Sequence, residues 1–347
     1  YKVQEELGED WNKTTLYGAF ENLLDEIKDD ERFRPDLVIY IGGHIVSKKL
    51  KSYLRSLKGV EQIRISQEAD IEDTFMHLTK VMDLPNSDAM SWLDNFGWHN
   101  HWEDYRKLWM DALAKSYERK ENFKPEFSSL ATVKEFFSQL QKVEPQDFKA
   151  FTLGGKDAQD DGIYDRKFDT FLPGMMSSVF SGNSSAIRLM NLYADRHVYC
   201  NRGVNGIEGS LSAAVGFSMC KNKSDKHVYC VLGDLSFFYD QNALWNRNLN
   251  GKLRIIVLNN GGGAIFGKFQ GLKESQAREE MVMAKHHATA EGISSQNEVK
   301  YLAAHTMEEM EQGISQLIHA ESERPMLLEV FTDMDVDNEM LEAIQKC

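Results

Sequence analysis

Apolar positions along the chain follow two spacings in turn. Within residues 15–27 they fall at Leu16, Phe20, Leu23, Leu24 and Ile27, the three-and-four spacing of one helical face. Pro35-Asp36 then leads into Leu37-Val38-Ile39-Tyr40-Ile41, an unbroken apolar run of the kind that buries both faces in a parallel sheet. Gly42-Gly43 ends it. Residues 47–57 predict the next helix, and Gln62-Ile63-Arg64-Ile65 a second strand. Strand, helix and strand in that order form a βαβ unit, whose right-handed crossover points to a doubly wound sheet.

A run rich in tryptophan follows, with Trp98, Trp102, Tyr105 and Trp109 three or four residues apart. An aromatic binding platform would fit that spacing. The commoner cause is an amphipathic helix packing between domains, and that is the expectation here. Residues 118–124 are charged and Pro125 follows, so a domain boundary is expected near there, dividing the chain into residues 1–122 and 123–347. Beyond it, residues 130–140 predict a helix, and the polar residues 144–173 a long loop or insertion. Alternation of strand and helix then resumes. Strands are expected at 177–180, 197–200, 228–232, 253–258 and 326–331, and helices from Ser184 and over 210–220. The fold class is α/β, with two doubly wound parallel-sheet domains.

The length of 347 residues fits two domains at the usual ~150 residues each. The formal charge is −14, which disfavours nucleic acid as the main partner, because phosphate backbones need clustered Lys and Arg. No stretch approaches the ~20 apolar residues of a membrane span. The opening Tyr1-Lys2-Val3-Gln4-Glu5-Glu6 is polar and acidic, unlike a signal peptide, and does not begin with Met. The chain is therefore expected to be a piece of something longer. Cys200, Cys220, Cys230 and Cys347 show no C-x-x-C spacing, so a reduced, cytoplasmic setting without a zinc site is expected.

Chemistry concentrates after two consecutive strands. Gly233-Asp234-Leu235-Ser236 follows the first and Asn259-Asn260-Gly261-Gly262-Gly263 the second, with Asp234 and Asn260 26 positions apart. In a parallel sheet both segments emerge at the carboxyl edge, where doubly wound folds bind ligands. A carboxylate, an amide oxygen and accessible backbone carbonyls are hard oxygen ligands. They suit an octahedral magnesium ion that also binds a diphosphate. The N–H groups of Leu235 and Ser236 could cradle phosphate oxygens. Alone, Asp234 could be a helix cap and Asn259-Asn260 a turn. The two together favour a ligand site.

This pairing resembles the thiamine-diphosphate motif, a Gly-Asp-x followed some two dozen residues later by Asn-Asn. In that family the Asp, the second Asn and a carbonyl two residues on hold the metal. Carried over, the ligands are Asp234, Asn260 and Gly262, with Mg2+ expected and Mn2+ possible; Leu235 stands where Gly is frequent. SGNSSAIR (181–188), NRGVNGIEGSLSAAVGF (201–217), GDLSFFYDQNALW (233–245) and LNNGGGAIF (258–266) are similar to one branch of that family. It is the 2-succinyl-5-enolpyruvyl-6-hydroxy-3-cyclohexene-1-carboxylate synthase family of menaquinone biosynthesis. GGHIVSKKL (42–50) resembles that family's middle domain. The segment before Phe180 departs from the pattern.

The resemblance implies a cytoplasmic carboligase, a homodimer or homotetramer when full length. It would decarboxylate 2-oxoglutarate and add the remaining unit to isochorismate. Ser184, Arg188 and Arg202 would contact substrate carboxylates, for which a guanidinium fork is suited. Lys48 and Lys49 match a basic pair facing the active site, although a charge run at a helix start is usually only solvated. Ile207 matches the apolar residue beneath the cofactor, which is favoured over an ordinary core Ile, and Ile265 and Phe266 match contacts to the isochorismate ring, though these two could equally be core. His286-His287 could suggest a proton shuttle or a metal site, but no acidic partner follows at ligand spacing, so loop histidines are expected. Glu208 is not expected to act as general base, because the family's activating Glu comes from a further domain that this sequence does not contain. The chain by itself is accordingly expected to be inactive. A decarboxylase or carboligase of the acetolactate synthase type would have less need of Arg188 and Arg202. A non-catalytic nucleotide-binding module would want a G-x-G-x-x-G that neither Gly42-Gly43 nor 261–263 supplies.

Overall fold

The computed structural model describes residues 16–41, 45–67, 71–94, 103–144, 176–202, 206–221, 226–268, 275 and 277–347. The chain divides into two compact units, one of Gly18–Phe123 with Ile344–Cys347, the other built on Lys124–Ala343. The polar residues 145–173, read as an insertion, lie outside the described residues.

In the first unit, helix α1 (Leu16–Ile27) precedes strand β1 (Leu37–Ile41), helix α2 (Lys48–Ser56) and strand β2 (Glu61–Ser66). Strand β3 (Lys80–Asp83) and helices α3 (Asn86–Asp94) and α4 (Glu103–Asn122) follow. The three strands are parallel in the order β1-β2-β3, with Ile39 opposite Ile63. Ser47 starts α2 by accepting the Leu50 N–H on its hydroxyl, a standard N-cap. Leu23, Leu24 and Ile27 of α1 share a core with Phe33, Tyr53 and Leu54. The aromatic helix joins this core. Trp109 meets Phe33 edge-on at 5.3 Å, and the Tyr105 hydroxyl donates to the Phe33 carbonyl at 2.9 Å. The expected packing between domains is corrected for these two residues, which serve the core of their own unit; Trp98 and Trp102 lie outside the described residues.

The second unit opens with helix α5 (Ser129–Val143), strand β4 (Ser178–Ser181), helix α6 (Ser185–Tyr193) and strand β5 (Val198–Cys200). Helix α7 (Ser210–Met219), strand β6 (Val228–Gly233), helix α8 (Asp234–Asp240) and strand β7 (Leu253–Asn259) come next. Helix α9 (Glu291–Gln296), strand β8 (Lys300–Ala304), helix α10 (Met307–His319), strand β9 (Met326–Phe331) and helix α11 (Met334–Gln345) complete it. All six strands are parallel, in the order β5-β4-β6-β7-β9-β8. Both faces are covered, as the unbroken apolar runs require. Val228, Cys230 and Leu232 pack with Leu211 and Val215 of α7, while Tyr229 between them meets Phe136 of α5 at 5.1 Å.

The strand order reverses beside β4, since the chain runs from β4 out to β5 and returns to β6 on the other flank. Doubly wound sheets bind ligands at the carboxyl edge of such a reversal. Residues following β4, β5, β6 and β7 therefore meet at one edge. Among the described residues no helix is long and apolar enough to cross a membrane.

A guanidinium lies deep in this unit. Arg254 on β7 is fully buried and donates from Nε to the Leu317 carbonyl at 3.0 Å and from Nη2 to the Ala320 carbonyl at 2.9 Å. It also donates to the carbonyls of Gly251 and Leu253. The guanidinium thus closes the carboxyl end of α10, where terminal carbonyls lack helical partners. Arg254→Met keeps a comparable stem and strands these acceptors. It should lower the unfolding free energy by about 2–4 kcal/mol in urea denaturation at unchanged m value. A change below about 0.5 kcal/mol would mean that other donors serve these carbonyls.

Candidate cofactor and metal site

Register brings the two halves of the motif together. Gly233, the last residue of β6, lies opposite Leu258 of β7, so Asp234 and Asn259 leave the sheet side by side. Asp234 is 3% exposed. Its Oδ1 accepts the Leu235 N–H at 2.6 Å, and its Oδ2 accepts the Gly262 N–H at 2.9 Å across the strand ends. Each carboxylate oxygen keeps a further lone pair for another partner. The Leu235 N–H, expected to cradle phosphate, is already held by its neighbour's carboxylate; Ser236 is buried just beyond it.

The two asparagines differ in their surroundings. Asn259 is fully engaged: Nδ2 donates to Glu329 Oε1 at 2.7 Å and to the Ala288 carbonyl at 3.0 Å, and Oδ1 accepts the Gly261 N–H at 3.1 Å. Glu329, fully buried on β9, also accepts the Ala290 N–H at 2.9 Å and the Tyr301 hydroxyl at 2.8 Å. Asn260 is half engaged. Its Nδ2 donates to Asp337 Oδ2 at 2.7 Å, whereas its Oδ1 is buried without a hydrogen-bond partner. Such an atom has lost water and gained nothing, a cost of roughly 1–3 kcal/mol that a bound cation would relieve. Burial raises the pKa of Asp337, and hydrogen bonds from Asn260, Ser129 and Thr332 oppose the rise. Neither Glu329 nor Asp337 was singled out from the sequence. Glu329 carries a signal, a lone acid in the otherwise apolar MLLEVF, whereas Asp337 reads as an ordinary acid in the first turn of a helix.

Glycine is needed in the turn after β7. Gly262 has φ 149°, and a Cβ there would stand 2.6 Å from the Met283 carbonyl oxygen. The same carbonyl accepts the Gly263 N–H at 2.6 Å, and the Gly261 carbonyl accepts the His286 N–H at 2.9 Å. This close approach brings in His286, expected to be a loop histidine without an acidic partner. It does lie in a loop, but an acidic partner is present. His286 Nε2 lies 3.3 Å from Asp234 Oδ2, close enough for an ion pair but outside hydrogen-bond geometry. The adjacent carboxylate raises its pKa. The partner stands just after β6, far away in sequence, so local spacing could not reveal it.

At the neighbouring strand ends, Ser184 precedes α6 with φ 67° and ψ −123°, a backbone state that a residue with a Cβ rarely adopts. Arg188, one turn on, donates from Nη1 to the Ser184 carbonyl at 2.7 Å. Arg202, after β5, donates from Nη1 to Asn183 Oδ1 at 3.1 Å, and its Nε is buried without a hydrogen-bond partner. Asn183, overlooked within SGNSSAIR, ties these loops together by donating from Nδ2 to the carbonyls of Asn201, at 2.7 Å, and Gly206. Ile207 lies half-buried in the bend before α7, and Ile265 and Phe266 in a 3-10 turn after the glycines, with Phe266 more exposed. In the first unit, Lys48 and Lys49 open α2, and Lys49 Nζ pairs with Asp25 at 2.6 Å. A cavity of about 410 Å3 opens by the turn after β7, lined among others by Asn260, Gly261, Arg278, Lys285 and His286.

Residues 181–330 match the model of the thiamine pyrophosphate enzyme, C-terminal TPP binding domain. The chain is 32% identical over 322 residues to a 2-succinyl-5-enolpyruvyl-6-hydroxy-3-cyclohexene-1-carboxylate synthase of Phocaeicola vulgatus, covering 90% of this chain and 49% of that protein. Proteins of the same name from Christiangramia forsetii and Desulfotalea psychrophila are 32% and 31% identical, over 94% and 86% of this chain and 51% and 48% of theirs. The chain is thus similar to thiamine pyrophosphate enzymes over most of its length. It spans about half the length of the curated relatives it matches.

A thiamine pyrophosphate enzyme needs a place for its cofactor and a divalent ion, and these residues fit one. Asn260 Oδ1 is a buried acceptor without a donor, Asp234 is a buried carboxylate with free lone pairs, and Gly262 brings a carbonyl to the same turn. One carboxylate and two neutral oxygens leave room for diphosphate oxygens and water around Mg2+. Gly262→Ala should weaken Mn2+ binding at least about tenfold, although the ligand there is a backbone atom, because the turn must open to admit a Cβ. Titration of free Mn2+ by electron paramagnetic resonance would measure this, and an unchanged affinity would show that the turn yields freely.

Proposed function

We propose that this chain supplies the diphosphate-, metal- and carboxylate-binding residues of a carboligase in menaquinone biosynthesis. Its substrates would be 2-oxoglutarate and isochorismate. The observation that carries the reading is the hydrogen bond from the Gly262 N–H to Asp234, which holds the turn bearing Asn260 against the carboxylate after β6. The names of the relatives, each a synthase of a succinyl-bearing cyclohexene carboxylate, support the substrate class.

Asp234, Asn260 and the Gly262 carbonyl would hold Mg2+, or Mn2+ in its place, and through it the cofactor's diphosphate. Bound there, thiamine diphosphate supplies an electron sink for loss of carbon dioxide from a 2-oxo acid. The protein's part is to bind and orient. Arg188 and Arg202 would take substrate carboxylates, and Asn183 fixes the fork of Arg202 from behind. Ser184 would add a hydroxyl contact from a turn held in an uncommon conformation. Ile207 would support the cofactor, and Ile265 and Phe266 would meet the isochorismate ring. Lys49 is paired with Asp25 and would have to leave it to serve an anion. The full-length protein would be a cytoplasmic homodimer or homotetramer.

Two substitutions in the full-length protein test this. Asp234→Ala should abolish Mg2+-dependent binding of thiamine diphosphate in calorimetry; retained affinity would sink the metal assignment. Arg188→Ala should raise the KM for 2-oxoglutarate or isochorismate by about tenfold or more while leaving cofactor affinity within twofold, the loss of one charge-assisted bidentate contact. Equal losses for cofactor and both substrates would point instead to a general loss of structure.

A further inference from the structure

Asn260 can serve as an oxygen ligand only if its carboxamide is turned the right way round. The two ends of a carboxamide are nearly equal in size, so shape alone does not choose between them. Here the choice is made by one partner. Asp337 Oδ2 lies 2.7 Å from Asn260 Nδ2, and a flipped amide would set two acceptors against each other at that distance. Asp337 is in turn held from several directions. The Ser129 N–H donates to its Oδ1 at 2.7 Å, the Ser129 hydroxyl to its Oδ2 at 2.6 Å, and the Thr332 hydroxyl to its Oδ2 at 3.1 Å. Ser129 is the first residue of α5, so its N–H is one of the donors that a helix start leaves without a helical partner. Every group facing the carboxylate donates, which fixes it as a pure acceptor.

We propose that Asp337 is the positioning residue of the metal site: its carboxylate, anchored on the start of α5 and on Thr332, holds the Asn260 amide so that Oδ1 is presented to the cation. This rests on the reading of Asp234, Asn260 and Gly262 as metal ligands. Asp337 touches no ligand; it acts through Asn260, as outer partners of metal ligands commonly do.

The test is Mn2+ affinity of the full-length protein with thiamine diphosphate present, read from free Mn2+ by electron paramagnetic resonance. Asp337→Leu keeps the branching and removes the acceptor, and should weaken Mn2+ about 10- to 100-fold. Arg254→Met, at the opposite end of β7 from the site, should lower the melting temperature and leave Mn2+ affinity within twofold. Asp234→Ala in the same assay reports on the underlying reading. If Asp234→Ala weakens Mn2+ and Asp337→Leu does not, the positioning role is overturned and the metal site stands. If Arg254→Met weakens Mn2+ as much as Asp337→Leu, the loss reflects general destabilisation and Asp337 is merely structural. If Asp234→Ala has no effect, the metal reading fails and takes this inference with it. Should Asp337→Leu not fold, nuclear magnetic resonance of the unmodified protein reads the same contact. Mg2+ should shift the Asn260 carboxamide carbon while its two amide protons stay slow to exchange; exchange at the solvent rate would overturn the proposal.

Discussion

The hydrogen bond from the Gly262 N–H to the Asp234 carboxylate joins the ends of two adjacent parallel strands, and the arrangement around it follows from that closure. It draws the turn after β7 back over the carboxyl edge. The turn must then pass close under the segment carrying Met283 and His286, which leaves no room for a Cβ at Gly262. In that position the Gly261 carbonyl takes the His286 N–H, and His286 Nε2 comes within 3.3 Å of Asp234. A carboxylate, a carbonyl-bearing turn and an imidazole are thus held by backbone hydrogen bonds rather than by flexible side chains. Such a site needs little reorganisation to receive a ligand.

What could be read from the sequence follows the range over which each feature is determined. The run LRIIVL is buried on both faces, so composition alone marks β7 as a central strand. Asp234 and Asn260 stand at the ends of such strands, and a parallel sheet sends strand ends to one edge. By contrast β8, with the sequence KYLAA, is a half-exposed edge strand without a clear apolar run, and it was not anticipated. The contacts of Glu329, Asp337 and His286 could not be read for a different reason. Each acts on a residue tens of positions away in the chain: Asn259, Asn260 and Asp234 respectively. Spacing carries no record of such contacts. Only Glu329 betrays itself, because an acid in a fully buried strand must have donors waiting for it. Trp109 shows the converse. Its periodicity correctly marked an amphipathic helix, but periodicity does not say which core the apolar stripe will join.

The buried charges show why the fold tolerates its polar interior. Glu329 receives three donors, Asp337 four and Arg254 four acceptors, so none is left to bear the desolvation of a lone ion. Asn260 Oδ1, like the Arg202 Nε, is among the buried polar atoms that lack such a partner, and it lies beside the Asp337 that is saturated.

The two neighbouring asparagines sharpen the contrast. They share a residue type, a turn and a strand end, and each gives its amide protons to a buried acid. The telling difference lies in the oxygen. That of Asn259 is satisfied by the Gly261 N–H, so this residue shapes the turn and has nothing left to offer. That of Asn260 has no donor, and reversing the amide would cost a contact with Asp337 without satisfying the oxygen. The fold therefore carries the desolvation of one acceptor in advance. A polar atom maintained in that state against an easy remedy, a single further N–H or hydroxyl, is best explained by a partner that is not part of the chain. A cation is the partner that an oxygen beside a buried carboxylate would attract most strongly.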